Sequence, residues 1–182
     1  CVRHCGKDSF WLAFIDIDEF ICPKSTDDLR VLLHEYEINA GVGINWQMFG
    51  PSGHLNRPQG LQIENLTLRG PINHEWNAHI KTFARPHLVT GFPNCHFPSY
   101  APGYGCVSLA GRRVPEAFAL DFAIEKAQIN HYFTRSRAEF EEKILRTAAD
   151  GTRKDITFLN RTEKDVITEK MESILGSCRP RV

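Results

Sequence analysis

Residues 11–23 read WLAFIDIDEFICP, two aspartates one residue apart inside a run that is otherwise aromatic and β-branched. Such a run favours a pleated, buried strand, and Pro23 ends it. A central strand is therefore expected over residues 11–22, its last residues spilling into a loop, with Asp16 and Asp18 at its C-terminal end. Carboxylates this close repel, and burying them is costly without a counter-charge. A hard divalent cation, Mn2+ or Mg2+, answers that need, because it takes carboxylate oxygens and keeps coordination positions open for a diphosphate. The plainer alternative is an exposed acidic turn formed by Asp16, Asp18 and Glu19. Phe14, Ile15, Ile17, Phe20 and Ile21 argue against it, since they embed the acids in apolar sequence. A phosphatase-type D-x-D, with an aspartyl nucleophile and a general acid, needs Thr or Val after the second Asp and a late acidic pair. Glu19 and Phe20 stand there instead, and Asp150 and Asp155 lack that partner.

The rest of the chain reads as alternating elements. A short helix is expected after the first strand, with Ser25 or Thr26 as N-cap, Asp27 and Asp28 in the first turn, and Leu29, Leu32 and Leu33 at helical spacing. Residues 42–49 form a strand candidate stopped by Gly50-Pro51-Ser52-Gly53. Residues 61–68 alternate like a strand with one slip of register, and short strands are expected within 79–89 and 118–133. Ser136-Arg137-Ala138-Glu139 has the form of a capping box, followed by the apolar stripe Phe140, Ile144, Leu145 and Ala148. A last helix is expected over 163–175, closed by Gly176.

Size and charge limit the options. The 182 residues fit one domain, 1–182, and 22 basic residues cancel 22 acidic ones, so no global field recruits nucleic acid. No apolar run approaches the roughly 20 residues of a bilayer span, so membrane attachment is expected only through a segment outside this chain. The first residue is Cys, not Met, which suggests a fragment. None of the six cysteines forms a C-x-x-C pair, so a zinc ribbon or redox site is not expected. The sequons Asn65-Leu66-Thr67 and Asn160-Arg161-Thr162 would be acceptors in a secretory lumen, where some cysteines could also pair.

Trp11 and Ile15-Asp16-Ile17-Asp18-Glu19-Phe20 are followed in order by Asn45-Trp46-Gln47-Met48-Phe49-Gly50-Pro51-Ser52-Gly53-His54, Lys81-Thr82-Phe83-Ala84-Arg85-Pro86, and Asn130-His131-Tyr132-Phe133-Thr134-Arg135-Ser136. Phe140 and Lys143 follow on the helix behind. With these motifs the chain resembles glycosyltransferase family 92 and related family 2-like transferases over most of its length. The resemblance implies an α/β, GT-A-like mixed sheet flanked by helices. It also implies an inverting transfer, commonly from a UDP-sugar donor to a glycan acceptor, with galactose transfer the activity most associated with the family. In that family nucleotide-binding β-α units precede the D-x-D strand, so part of the uridine pocket is expected upstream of residue 1. A eukaryotic source would place the protein in the Golgi lumen or anchored from upstream, and a bacterial one in the cytoplasm.

The same resemblance makes Asp18 the more direct metal contact and His131 the late histidine that completes the metal site. Trp46, Phe49, Gly50, Ser52, Gly53 and His54 combine an aromatic face, pliable backbone and hydrogen-bonding groups suited to a sugar-binding rim, although Trp46 serves equally well as core. Lys81 and Arg85 offer positive charge to a phosphate or acceptor, and His96 is a candidate for the acceptor side. Inversion requires a base near the acceptor hydroxyl; Glu64 is the first candidate and Asp121 the second, an ordinary surface acid being the alternative for each. The competing class is a non-catalytic carbohydrate-binding or scaffold remnant of the same fold.

Overall fold

The computed structural model describes residue 2, residues 6–145 and residues 169–170. Its centre is β3 (Gly41–Met48), whose eight residues are all buried. Alternate residues Val42, Ile44, Trp46 and Met48 enter the main core with Leu32, Leu33, Phe83, Ile129 and Phe140. Each such side chain contributes on the order of 1.5–3 kcal/mol by leaving water. Gly43, Asn45 and Gln47 lie on the other face of the pleat. Asn45 Nδ2 donates to the Asn77 and Ala119 carbonyls at 3.0 and 2.8 Å, and Gln47 Nε2 donates to the Gly70 carbonyl at 3.0 Å. These buried amides are satisfied by loop carbonyls, so they fix the loops instead of costing stability.

The main sheet runs in the order β1 (Leu12–Ala13), β5 (Ile80–Ala84), β3, β10 (Ala127–His131), β2 (Glu19–Pro23), with β8 (Cys106–Ser108) and β9 (Arg113–Val114) attached beside β3. β10 and β8 pair parallel to β3, whereas β5 pairs antiparallel to β3 and β2 antiparallel to β10. The sheet is thus mixed, in agreement with the α/β expectation. Ancillary pieces are α1 (Leu29–His34), α2 (Gln62–Asn65), β4 (Leu68–Arg69), β6 (Val89–Gly91), β7 (Ser99–Tyr100), α3 (Arg137–Leu145) and β11 (Glu169–Lys170), which pairs with β4.

The single strand expected over residues 11–22 is two strands at opposite edges of the sheet. The chain leaves β1 beside β5, crosses the carboxyl ends of β3 and β10, and enters β2 at Glu19, opposite His131. A continuous buried strand would hold both aspartates against the core. The observed bend, closed by the Glu19 amide donating to the Asp16 carbonyl at 3.0 Å, leaves Asp16 half exposed and Asp18 buried at the sheet's end. The helix cap also differs from expectation: Asp28, not Ser25 or Thr26, accepts from the Arg30 amide, and Thr26 Oγ1 accepts from the Asp28 amide. Residues 61–68 are not a strand, because Asn65 Nδ2 donates back to the Gln59 and Leu61 carbonyls and closes the short helix α2 before β4 begins.

The capping box forms as its sequence implies. Ser136 Oγ donates to Glu139 Oε2 at 2.7 Å, and the Glu139 amide donates to Ser136 Oγ at 3.4 Å. On α3 Phe140 is fully buried and Ile144 packs at the core's edge, but Leu145 faces solvent. Ala148 lies outside the described residues. Of the helix expected over 163–175 only residues 169–170 are described, and they form the strand β11, whose backbone pairs with β4 instead of turning into a helix.

Candidate active site

Parallel strands leave their carboxyl ends unpaired where successive loops diverge, and ligands of α/β sheets bind there. In this chain the carboxyl ends of β3 and β10 open into a cavity of about 890 Å3. The acidic turn supplies one wall through Asp16, Ile17 and Asp18, and Trp46, His96 and His131 form the floor. Arg135, Glu139, Glu142 and Lys143 supply the wall formed by α3 and the residues before it, and Asn56 and Arg57 close the rim.

Both aspartates have lysine partners. Asp16 Oδ2 accepts from Lys81 Nζ at 2.8 Å, and Asp18 Oδ2 accepts from Lys143 Nζ at 2.8 Å. Lys81 is wholly buried on β5 and also lies 3.5 Å from Glu19 Oε2, itself buried. Burial alone would lower the Lys81 pKa, but the hydrogen bond to Asp16 and the charges of Glu19 and Asp16 outweigh it, and the ammonium is held above its ordinary value. Burial dominates at Glu19, whose carboxyl is pushed up to about 7 even though the Asp16 amide donates to it and Lys81 stands close by. The counter-charge expected of a metal is therefore supplied, in the chain by itself, by two ammonium groups.

His131 ends β10 with Nε2 3.8 Å from Asp18 Oδ1, the oxygen not engaged by Lys143. One carboxylate oxygen and one imidazole nitrogen on a cavity wall suit Mn2+ or Mg2+, which usually bind through one or two protein groups, water and substrate phosphate. Asp16 is drawn aside by Lys81, and no group of three or more His, Cys, Asp or Glu side chains converges among the described residues. The donor set thus fits a cation shared with a ligand, with Asp18 and His131 as the protein's part.

Trp46 is both core and floor. Its ring stacks on His79 at 4.9 Å and 16° and meets His131 at 4.2 Å and His96 at 5.0 Å. His96 Nδ1 lies 3.0 Å from the Ile80 carbonyl, and burial lowers its pKa, which favours the neutral ring.

Of the residues singled out in the sequence, the cavity gathers Asp16, Asp18, Trp46, His96 and His131, with Lys81 directly behind Asp16. The 49–54 turn does not line it. Phe49 is buried against Tyr132 and Leu66, the Gly50 amide donates to the Leu68 carbonyl, and Ser52 Oγ accepts from the Leu68 amide. Gly53 supplies a left-handed bend at φ 79°, and His54 Nε2 lies 3.2 Å from the Asn65 carbonyl. The turn docks on α3, since the Arg137 and Ala138 amides donate to the His54 and Leu55 carbonyls. Arg85 stacks over Phe10 and donates to the Glu37 carbonyl. Glu64 is exposed on α2, and Asp121 accepts a hydrogen bond from Ser108; neither lines the cavity. Arg135, Glu142 and Lys143 do line it; Arg135 and Lys143 stand in the motifs that carry the resemblance, with no role assigned to either, and Glu142 had no sequence signal.

A family model described as Glycosyltransferase family 92 matches residues 1–170 of the chain. No curated protein matches it.

Proposed function

The chain belongs to glycosyltransferase family 92, and from that premise we propose that it transfers a sugar from a nucleotide sugar, UDP-linked by family resemblance, to a glycan hydroxyl with inversion. The observation that carries this reading is the acidic turn laid across the carboxyl ends of β3 and β10, with Asp18 and His131 facing one cavity. A divalent cation held there would neutralise charge on the departing diphosphate. The ammonium of Lys143, reaching Asp18 from α3, adds a second positive group toward that charge, and Lys81 holds Asp16 in place from behind. Trp46 and His96 offer a flat, partly apolar floor for a sugar ring.

The acceptor's proton requires a carboxylate that reaches the cavity. Asp16 and Asp18 carry lysines and Glu139 holds the capping serine. Glu142 lines the cavity from α3 with no such commitment among the described residues, and we assign it the base. The test is sugar transfer from UDP-sugars with Mn2+ by the wild type and by Asp18→Asn, His131→Ala and Glu142→Gln. The reading expects at least a hundredfold loss of kcat for Glu142→Gln, in line with the rate contribution of a general base. It also expects Asp18→Asn to need more Mn2+ for half-maximal rate. Unchanged rates in all three variants would refute it.

A further inference from the structure

Among the basic groups of the cavity, Lys143 is held by Asp18 and by the Phe133 carbonyl, and Arg57 lies 3.9 Å from Glu139. Lys81, behind the wall, is held by Asp16 and Glu19. Arg135 differs. It lines the cavity, its Nε is buried with no acceptor, and none of the described carboxylates lies within ion-pair distance of it. A half-buried guanidinium that lines a cavity with no described carboxylate beside it is suited to an anionic ligand.

Its backbone is unfavourable as well. Arg135 sits at φ 54°, a left-handed conformation that a long side chain adopts at a cost of on the order of 1 kcal/mol and that glycine or asparagine adopts more easily. Strain of this kind persists where the side chain's position matters. The α3 amides next to it are not available to a ligand, because those of Arg137 and Ala138 already donate to the His54 and Leu55 carbonyls. Of the basic groups on this wall, Lys143 is already paired with Asp18, which leaves the Arg135 guanidinium, whose planar fork matches phosphate oxygens in pairs, as the one without a carboxylate partner among the described residues.

We propose that Arg135 is a seat of the diphosphate, binding its oxygens bidentately from the segment that leads into α3. The inference rests on the glycosyltransferase reading for the identity of the leaving group, but it concerns an anion site that needs neither sugar nor base. Inorganic diphosphate is therefore the probe. Its binding to the chain, measured by calorimetry at fixed Mg2+, is compared among the wild type, Arg135→Gly, Arg135→Asn and Arg135→Lys.

Arg135→Gly and Arg135→Asn both accept the left-handed backbone, so their thermal midpoints should equal or exceed that of the wild type while diphosphate affinity falls about tenfold or more. Arg135→Lys keeps the charge but not the fork and should fall between. Wild type that binds no diphosphate at millimolar concentration, or Arg135→Gly that binds it within twofold of wild type, would overturn the proposal. So would unfolding of both Arg135→Gly and Arg135→Asn, which would make the side chain a structural element. Arg135-dependent diphosphate binding without sugar transfer would retain the seat and remove the enzyme reading. Transfer at wild-type rate by Arg135→Gly, with its diphosphate affinity intact, would do the reverse.

Discussion

Lys143 Nζ stands 2.8 Å from Asp18 Oδ2, held between that carboxylate, the Phe133 carbonyl at 3.0 Å and the face of the Phe133 ring at 3.8 Å. The pair supplies the charge balance that the buried side of Asp18 requires before any ligand arrives. In the proposed reaction the same ammonium would face the departing diphosphate.

Lys143→Met should lower the unfolding free energy by about 1–2 kcal/mol. Breaking a fully buried pair costs about 3–5 kcal/mol, but the Lys143 side chain is 37% exposed, and water screens part of that loss. Urea denaturation measures it. Mn2+ should then restore more stability to the variant than to the wild type, because the vacated Asp18 oxygen becomes available. Equal Mn2+ shifts in the two proteins would argue against Asp18 as a ligand.

Lys81→Met should be the harsher change, about 3–5 kcal/mol, since it removes a fully buried ammonium from Glu19 and Asp16 together. Neutralising the abandoned acids in Lys81→Met/Glu19→Gln/Asp16→Asn should return most of the loss. A coupling free energy indistinguishable from zero across that series would show that the three groups do not act as a unit.

Ser136→Ala removes the one hydroxyl that both accepts from the Glu139 amide and donates to the Glu139 carboxylate. The expected cost is about 1 kcal/mol, read as a lower denaturation midpoint at unchanged slope. Ser136→Thr, which retains the hydroxyl, should recover most of it.

Two free thiols among the described residues should behave oppositely. Cys95 is exposed and Cys106 buried. Burial pushes the Cys106 thiol up to about 12 from its ordinary 9.0, with hydrogen bonding to Thr82 and Tyr100 offsetting only part. The unfolded chain therefore gives up this proton first as pH climbs above 9, and Cys106 draws down stability between about 9 and 12 while contributing nothing below. At pH 8 a thiol reagent should label Cys95 at once and Cys106 only after denaturant is added. Prompt native-state labelling of Cys106 would contradict the packing around β8.

Local chemistry made several parts of this structure legible in advance. The β3 strand followed from the stretch 42–49 and the Gly50-Pro51-Ser52-Gly53 turn cluster that stops it, and the α3 cap from a serine and a glutamate three residues apart. The acidic pair was recognisable, but its apolar flanks do not bury it as expected: the segment is a turn in which Ile17 is exposed and Asp16 half exposed, while Asp18 and Glu19 are buried. What answered the pair was not recognisable: Lys143 is 125 residues from Asp18 in the chain, and nothing near either residue marks the other. Arg135 stood within a recognised motif, but its left-handed backbone and the absence of a described carboxylate beside it exist only once the fold is complete. The 49–54 turn has the composition of a binding rim, but its hydrogen-bonding groups are spent on β4, α2 and α3. Composition indicated what that turn could contact, and only the topology showed what it does contact.

The parallel pairing of β3 with β10 has a kinetic consequence. Trp46 and Ile129, register partners in that pair, are separated by about eighty residues of chain, and closing so long a loop must precede the reward of pairing. β2 docks on β10, so the acidic turn acquires its far anchor only after that closure. During synthesis on the ribosome the aspartates near the start of this sequence would remain without their site until residues beyond 131 had emerged, and a refolding chain should gain metal affinity in the same slow phase that completes the sheet.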